Sequence, residues 1–178
     1  STDYITAELS KLYINIFLAT TISTTNILSE YTYDAGGKWT DIMRIIRSDK
    51  RLGKFAYVEP GLGISGGNLE RDLENIESLV SKKMNKNYFR NINDISEYHK
   101  LWPILKLKKI LNSKDIIGIC GISYKESTNM FKNLPIEKFL KKKFFKKTII
   151  FDSKNNIDKF KKINKLKKIN FTHNINNF

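Results

Sequence analysis

The feature that most constrains the fold is a long helical pattern at the start of the chain. Between residues 6 and 33, apolar side chains such as Ile14 and Leu18 recur at steps of three and four, which places them on one face of an α-helix. Gly36 and Gly37 follow, and glycine commonly ends helices. The pattern therefore predicts one long helix that ends just before these glycines.

The next eighty residues also favour helices. Helical patterns are predicted over residues 39–47, about 68–83 and about 95–112, with an irregular stretch between the first two. That stretch, residues 48–67, contains five of the nine glycines in the chain. Residues 1–112 are therefore predicted to form an all-helical domain.

A second pattern begins near Asp115. Residues 116–120 and 148–151 are short apolar runs that predict buried strands, and a helix over 136–143 lies between them. A strand, a helix and a strand within some forty residues form a βαβ unit with parallel strands. A further helix near 157–165 and a last strand near 169–172 extend it, so residues 113–178 predict a short α/β domain.

The net charge of +14 lies entirely in the second part of the chain. Residues 1–100 contain 13 basic and 13 acidic side chains, whereas residues 101–178 contain 19 basic and 5 acidic ones. A basic domain can bind nucleic acid, but here the basic residues are nearly all lysines mixed with Asn, Ile and Phe. We interpret them as a solvated surface, so a basic nucleic-acid-binding module is the third and least favoured alternative for this chain.

The chain is expected to be soluble and to have no membrane partner. Its longest uncharged run, residues 12–29, contains eight hydroxyl or amide side chains, too many for the bilayer interior. The N-terminus has no basic segment of the signal-peptide type. A single cysteine, Cys120, fits a reducing, cytoplasmic compartment, the expected location, although it would also fit a cysteine-poor secreted protein. Cys120 is interpreted as an inert core thiol.

Several residues are candidates for chemistry. Residues 61–66 (GLGISG) match G-x-G-x-x-G as a string, but no strand is predicted before them, so a dinucleotide site in this loop is rejected. Lys11 and Asn15 are four residues apart and share one helix face. His99 and His173 have no ligand-spaced partners, so no metal site is expected.

Three segments of the first domain match the motifs of a known family in the same order. Residues 7–20 are AELSKLYINIFLAT, residues 49–53 are DKRLG and residues 60–72 are PGLGISGGNLERD. They resemble the A-E-x-x-K-x-x-x-N-x-F-L-A-T segment, the D-x-R-I-G turn and the P-G-F-G-G-S-C-F-P-K-D substrate loop of the UDP-glucose/GDP-mannose dehydrogenase family. The loop in this chain is longer by two residues.

The second domain continues the resemblance. Residues 121–125 (GISYK) are similar to the family's G-x-[AS]-[FY]-K turn, residues 128–135 (TNMFKNLP) to its T-D-D-x-R-x-S-P segment and residues 151–152 (FD) to its Y-D-P strand end. The resemblance covers about residues 5–155. It implies a central helical dimerisation domain over residues 1–112 and a truncated, Rossmann-like UDP-binding domain over residues 113–178.

The resemblance also implies an activity. The family oxidises the C6 alcohol of a UDP-sugar to a carboxylate with NAD, which an N-terminal domain absent from this chain mainly binds. The chain would thus be the C-terminal part of such an enzyme, with a UDP-sugar as its ligand and a second copy as its partner, paired through the long helix.

Site residues follow from the resemblance by position. Lys11 and Asn15 match the lysine and asparagine that hold a water or oxyanion at the reacting carbon, and Asp72 matches an aspartate suited to general-base work. Arg51 matches an arginine that reaches into the neighbouring subunit's site. The other substrate-binding positions are Phe55, Gly61, Gly63, Gly66, Lys125 and Lys132, and Lys125 also matches a cofactor-binding position.

Two positions depart from the family pattern. Asn68 stands where the family has its nucleophilic cysteine, and an amide cannot form the thiohemiacetal of the second oxidation. Lys132 replaces an arginine and loses bidentate geometry. Three alternatives stay open: a subgroup that works without the covalent step, an enzyme that stops at a two-electron product, or a binding and dimerisation remnant without activity.

Overall fold

The computed structural model describes residues 2–112, 114–123, 131, 133–142, 147–164 and 170–174. The chain divides into two compact units, Ser1–His99 and Lys100–Phe178. A helical unit is followed by a small unit with a three-stranded parallel sheet, so the predicted fold class is confirmed. The domain boundary at 112/113 stays a prediction.

The long first helix is confirmed as α1, Tyr4–Asp34. It begins where the Asp3 carboxylate accepts hydrogen bonds from the Thr6 amide at 2.9 Å and the Thr6 hydroxyl at 2.7 Å, which satisfies the free donors of a helix start. It ends before Gly36, which adopts a φ of +76°. Only glycine adopts this left-handed conformation without strain.

Three more helices follow: α2 (Trp39–Ser48), α3 (Asn68–Leu79) and α4 (Lys83–Ile110). The prediction for α3 was too long, because Val80 is already extended. The prediction for α4 began twelve residues late. Phe89 and Ile92 continue the apolar face of this helix towards its start, but the asparagine-rich sequence around them conceals the periodicity.

The core of the first unit lies between α1, α3, α4 and the irregular segment. Its buried residues are Ala19, Ile64, Leu73 and Ile92. The hydroxyl groups of α1 are compatible with burial because they bond to nearby carbonyls, as Thr20 does to Ile16 at 2.9 Å. No helix among the described residues is long and apolar enough to span a membrane.

An apolar surface of the first unit is left exposed. Phe17 on α1 is 75% exposed and Phe55 is 92% exposed. Both line an open hollow of about 370 Å³ between α1 and residues 46–58. We call this the α1 hollow; its other lining residues are Ile14, Leu18, Thr21, Ile46, Leu52, Ala56, Tyr57 and Val58.

The second unit contains β1 (Ile116–Cys120), α5 (Pro135–Lys142), β2 (Lys147–Phe151), α6 (Lys154–Asn164) and β3 (Asn170–Thr172). The strands are parallel in the order β1-β2-β3, which confirms the βαβ prediction. A core of apolar side chains includes Phe131, Leu134, Ile150 and Phe160.

The first strand is less buried than predicted. It forms one edge of the described sheet, and Ile116 is 58% exposed. Cys120 at its end is also exposed, so its interpretation as a core thiol is wrong. An edge strand has a neighbour on one side only, which the apolar sequence alone does not reveal.

Candidate functional site

A hydrogen bond between distant parts of the chain defines the candidate site. The Asn15 side chain on α1 donates from Nδ2 to Oδ2 of Asp72 on α3, at 2.5 Å across 57 positions of sequence. Asp72 is 8% exposed. Because a buried carboxylate is costly without partners, this bond is part of what allows Asp72 to lie inside.

Arg71 engages the other oxygen of the same carboxylate. Its Nε and one terminal nitrogen donate to Oδ1 of Asp72 at 3.1 and 3.0 Å. The Arg71 side chain is 62% exposed, so water weakens this ion pair. Each carboxylate oxygen has two lone-pair sites, and Oδ2 therefore retains one for a further donor such as water. The arrangement can orient a water molecule beside Asn15.

Lys11 lies one helical turn before Asn15. The spacing of four residues places both on one face of α1, as predicted. The Lys11 side chain is exposed, as is common for a lysine at the edge of a helix. Helix α3 packs on α1, but none of the described residues covers α1 at Lys11. The cation is accessible from solvent.

The glycine-rich segment, residues 60–67, is here called the glycine loop. It contains no strand and follows none, because residues 49–67 are irregular; it therefore lacks the context of a dinucleotide fingerprint. Gly61 donates its amide to Oδ1 of Asn26 at 2.7 Å. Gly63, Gly66 and Gly67 all adopt positive φ, which only glycine does readily.

The glycine loop leads directly into α3. The Gly67 amide donates to Oε2 of Glu70 at 2.7 Å, a contact typical of a helix start. Asn68, at the family's cysteine position, is the first residue of α3 and is exposed. It precedes Asp72 by four residues, so both lie on one face of α3.

Arg51 and Phe55 belong to a different surface. The Arg51 side chain is 88% exposed, and its guanidinium donates to Asp49 at 3.0 and 2.6 Å. These bonds lower the pKa of the Asp49 carboxyl and raise that of Arg51. Phe55 lines the α1 hollow. No hydrogen bond joins either residue to the Asn15–Asp72 pair within the described part of the chain.

The second unit, considered by itself, has a turn at the ends of its strands. The Gly121 amide donates to the Phe151 carbonyl at 2.9 Å, and the Ile122 amide donates to Oδ2 of Asp152 at 2.7 Å. This joins two of the segments on which the resemblance depends. Lys125 and Lys132 lie outside the described residues. The described residues contain no group of three metal-ligating side chains.

Three residues near the site were missed from the sequence: Asn26, Ser96 and Arg71. Asn26 and Ser96 are almost fully buried, at 2% and 1% exposure, and bond to the glycine loop. A signal existed for Asn26, because it lies eleven residues after Asn15, and eleven residues are close to three helical turns. A polar residue on the core face of a helix could have been flagged.

Known proteins are similar to this chain in both sequence and fold. The model of the UDP-glucose/GDP-mannose dehydrogenase family, central domain, matches residues 5–98, which is more than half of the chain. UDP-glucose 6-dehydrogenase of Drosophila melanogaster is 29% identical over 129 residues, 68% of this chain and 27% of that protein. The Rickettsia bellii enzyme of the same name is 28% identical over 157 residues, 84% of this chain and 35% of that protein. The chain thus spans about a third of the length of these relatives.

Solved structures extend the similarity to both units. A UDP-glucose dehydrogenase from Pyrobaculum islandicum superposes with a TM-score of 0.81 at 20% identity, covering 94% of this chain and 39% of that one. A UDP-D-ManNAc dehydrogenase from Pyrococcus horikoshii gives a TM-score of 0.70 at 24% identity, covering 85% and 37%. At these identities the likeness shows a shared fold.

Proposed function

Because this chain belongs to the UDP-glucose/GDP-mannose dehydrogenase family, we propose that it forms the substrate-positioning part of an enzyme that oxidises the C6 alcohol of a UDP-sugar. The observation that carries the proposal is the 2.5 Å hydrogen bond between Asn15 and Asp72. It joins the two segments whose motifs resemble the family's catalytic helix and substrate loop.

The roles proposed for the side chains follow from their chemistry. Lys11 supplies a positive charge to an oxygen that becomes negative during oxidation, a stabilisation that accounts for much of enzymatic rate enhancement. Asn15 and Asp72 hold a water or the substrate oxygen next to it. Asp72 keeps a lone-pair site on Oδ2, so it can accept a hydrogen bond or a proton there.

NAD is the hydride acceptor that the family implies. The described residues do not fit a dinucleotide site: the glycine loop follows no strand, and Gly121, which follows β1, begins no G-x-G-x-x-G string. A residue set outside the described part would have to hold it. We therefore assign no step of the reaction to NAD in this chain.

We also propose that two copies pair over the α1 hollow. Phe17 and Phe55 together present large, exposed apolar rings there, and exposed apolar patches mark interaction sites. Arg51 is exposed, pairs with Asp49 and lies four residues before Phe55 on the same segment. Pairing would place this arginine at the partner copy.

A non-catalytic binding role is the second candidate. It is favoured by Asn68, because an amide at the cysteine position cannot form a thioester. Both candidates predict that the chain binds nucleotide sugars, and only the first predicts oxidation.

The test of the proposed function is titration calorimetry of the chain with UDP-glucose, and with ADP-glucose as the matched control. UDP-glucose is expected to bind and ADP-glucose to bind at least tenfold more weakly, a difference of about 1.4 kcal/mol. Equal affinity for the two, or no binding of any UDP-sugar, would contradict the proposal. Asp72→Ala should weaken the binding of UDP-glucose and leave that of UDP unchanged.

A further inference from the structure

Two buried polar side chains contact the glycine loop from opposite helices. Asn26 of α1 accepts the Gly61 amide at 2.7 Å, and the Ser96 hydroxyl of α4 accepts the Ile64 amide at 2.7 Å. The loop is thereby bonded to two helices, through side chains that are 70 positions apart in the sequence.

Neither side chain is energetically favourable at a core position. Nδ2 of Asn26 is buried without a hydrogen-bond partner among the described residues, and such a group is costly to bury. Serine inside a helix is less favourable than alanine. In both cases the side chain supplies an oxygen that accepts a loop amide, and an apolar residue has no such acceptor.

The centre of the loop lies directly on α4. Gly63 has a φ of +79°, and a Cβ at this position would overlap the carbonyl oxygen of Ser96. The next residue, Ile64, is 2% exposed and belongs to the core. The loop therefore has one position on the helical unit, set by backbone contact, core burial and two side-chain bonds.

The position of the loop sets the start of α3. Gly67 precedes Asn68 directly, and Asp72 lies one turn further along. A shift of the loop would therefore change the distance from Asp72 to Asn15. A displacement of about 1 Å is enough to reduce the activity of a positioned group about a hundredfold.

We infer that Asn26 and Ser96 are positioning residues, which hold the glycine loop and the start of α3 in the geometry that receives the sugar of a nucleotide sugar. This inference rests on the proposed function. Both side chains act through backbone amides of the loop and touch no reacting atom.

The test combines amide hydrogen exchange with ligand titration on Asn26→Leu, Ser96→Ala and a matched control, Ser23→Ala. Ser23 is also a buried serine, and its hydroxyl donates to the Ile92 carbonyl of α4 at 3.3 Å rather than bonding to a loop amide. In the ligand-free chain, exchange of the Gly61 amide in Asn26→Leu, and of the Ile64 amide in Ser96→Ala, should be at least tenfold faster. In Ser23→Ala both amides should exchange as in the wild type.

The ligand arm separates positioning from general destabilisation. The affinity for UDP-glucose should fall about tenfold in Asn26→Leu and Ser96→Ala, while the affinity for UDP, which lacks the sugar, stays the same. Ser23→Ala should bind both ligands as the wild type does. A general loss of folded protein would instead lower the apparent affinities for UDP-glucose and UDP by the same factor.

Three results would overturn the inference. Unchanged exchange at both amides would show that the side chains do not hold the loop. Faster exchange with unchanged UDP-glucose affinity would show that the held loop does not serve the sugar. A wild-type chain that binds no UDP-sugar would refute the proposed function and the sugar-positioning role together, and it is distinguished from the other two because the wild type itself fails.

Discussion

Exchanging the two partners of the Asn15–Asp72 bond tests the candidate site most directly. Asp72→Asn removes the charge and leaves one acceptor oxygen for the two donors, Asn15 and Arg71, that now bond to separate oxygens. Hydrogen bonds to charged groups contribute about 1.5–3 kcal/mol. The lost Arg71 pair adds about 1 kcal/mol at most, because that arginine is 62% exposed. We expect Asp72→Asn to lower the free energy of unfolding by about 2–3 kcal/mol.

The reverse single change should be at least as costly. Asn15→Asp would place two carboxylates where a 2.5 Å hydrogen bond now lies. Two like charges about 4 Å apart repel by about 4 kcal/mol at an effective dielectric constant of about 20. The double variant restores one amide and one carboxylate, so it should be more stable than the sum of the singles by about 1–3 kcal/mol.

The measurement is urea unfolding followed by the fluorescence of Trp39, in a Trp102→Phe background. Trp39 reports on the first unit because its Nε1 donates to the Val58 carbonyl at 3.0 Å. Asp41→Asn, whose carboxylate is bound by exposed Arg44, is the matched control and should change stability by less than about 0.5 kcal/mol. Single effects that add within about 0.5 kcal/mol would refute the reasoning, because uncoupled residues share no bond.

Three further predictions concern charge, pairing and chemistry. Asp49 has a lowered pKa because Arg51 donates to it, so Arg51→Gln should return this pKa towards 3.8, as followed by carboxyl NMR. The stability that the bond contributes is present above the unfolded pKa of Asp49 and is lost as the pH falls through its folded pKa. An unchanged titration of Asp49 in Arg51→Gln would contradict this prediction. Phe17→Asp should convert a dimer into a monomer in sedimentation velocity while Asp41→Asn leaves the dimer intact, and a wild-type monomer at high micromolar concentration would refute pairing. With an NAD-binding domain supplied, the chain should release at most one NADH per UDP-sugar, because Asn68 cannot form the covalent intermediate of the second oxidation. Lys11→Ala should slow the first oxidation about a hundred- to a thousandfold. Release of two NADH with a uronic acid product would show that the cysteine is dispensable.

The helical part of the fold could be predicted because its signals are local. The periodicity of α1 and its end before Gly36 depend on residues close in sequence, and the structure agrees with the predicted bounds within a few positions. The early start of α4 was missed for the opposite reason. Phe89 and Ile92 become core residues only through contact with α1 and α3, whereas the sequence around them is polar.

Burial was the property that the sequence predicted least well. Cys120 follows an apolar run, yet it is exposed, because the described sheet ends at β1. Ile116 was expected in a buried strand and is 58% exposed. Burial depends on which element packs on a face, and that element can be anywhere in the chain.

The sequence by itself determined the helices, the βαβ order and the family, because periodicity, glycine positions and ordered motifs need no knowledge of distant contacts. It also determined that Asn68 cannot act as a thiol, since that follows from the residue type. The tertiary structure alone decided that Asn15 meets Asp72 at 2.5 Å and that Asn26 and Ser96 bond to the glycine loop. These contacts join residues 32 to 57 positions apart, and such pairings depend on how the helices pack.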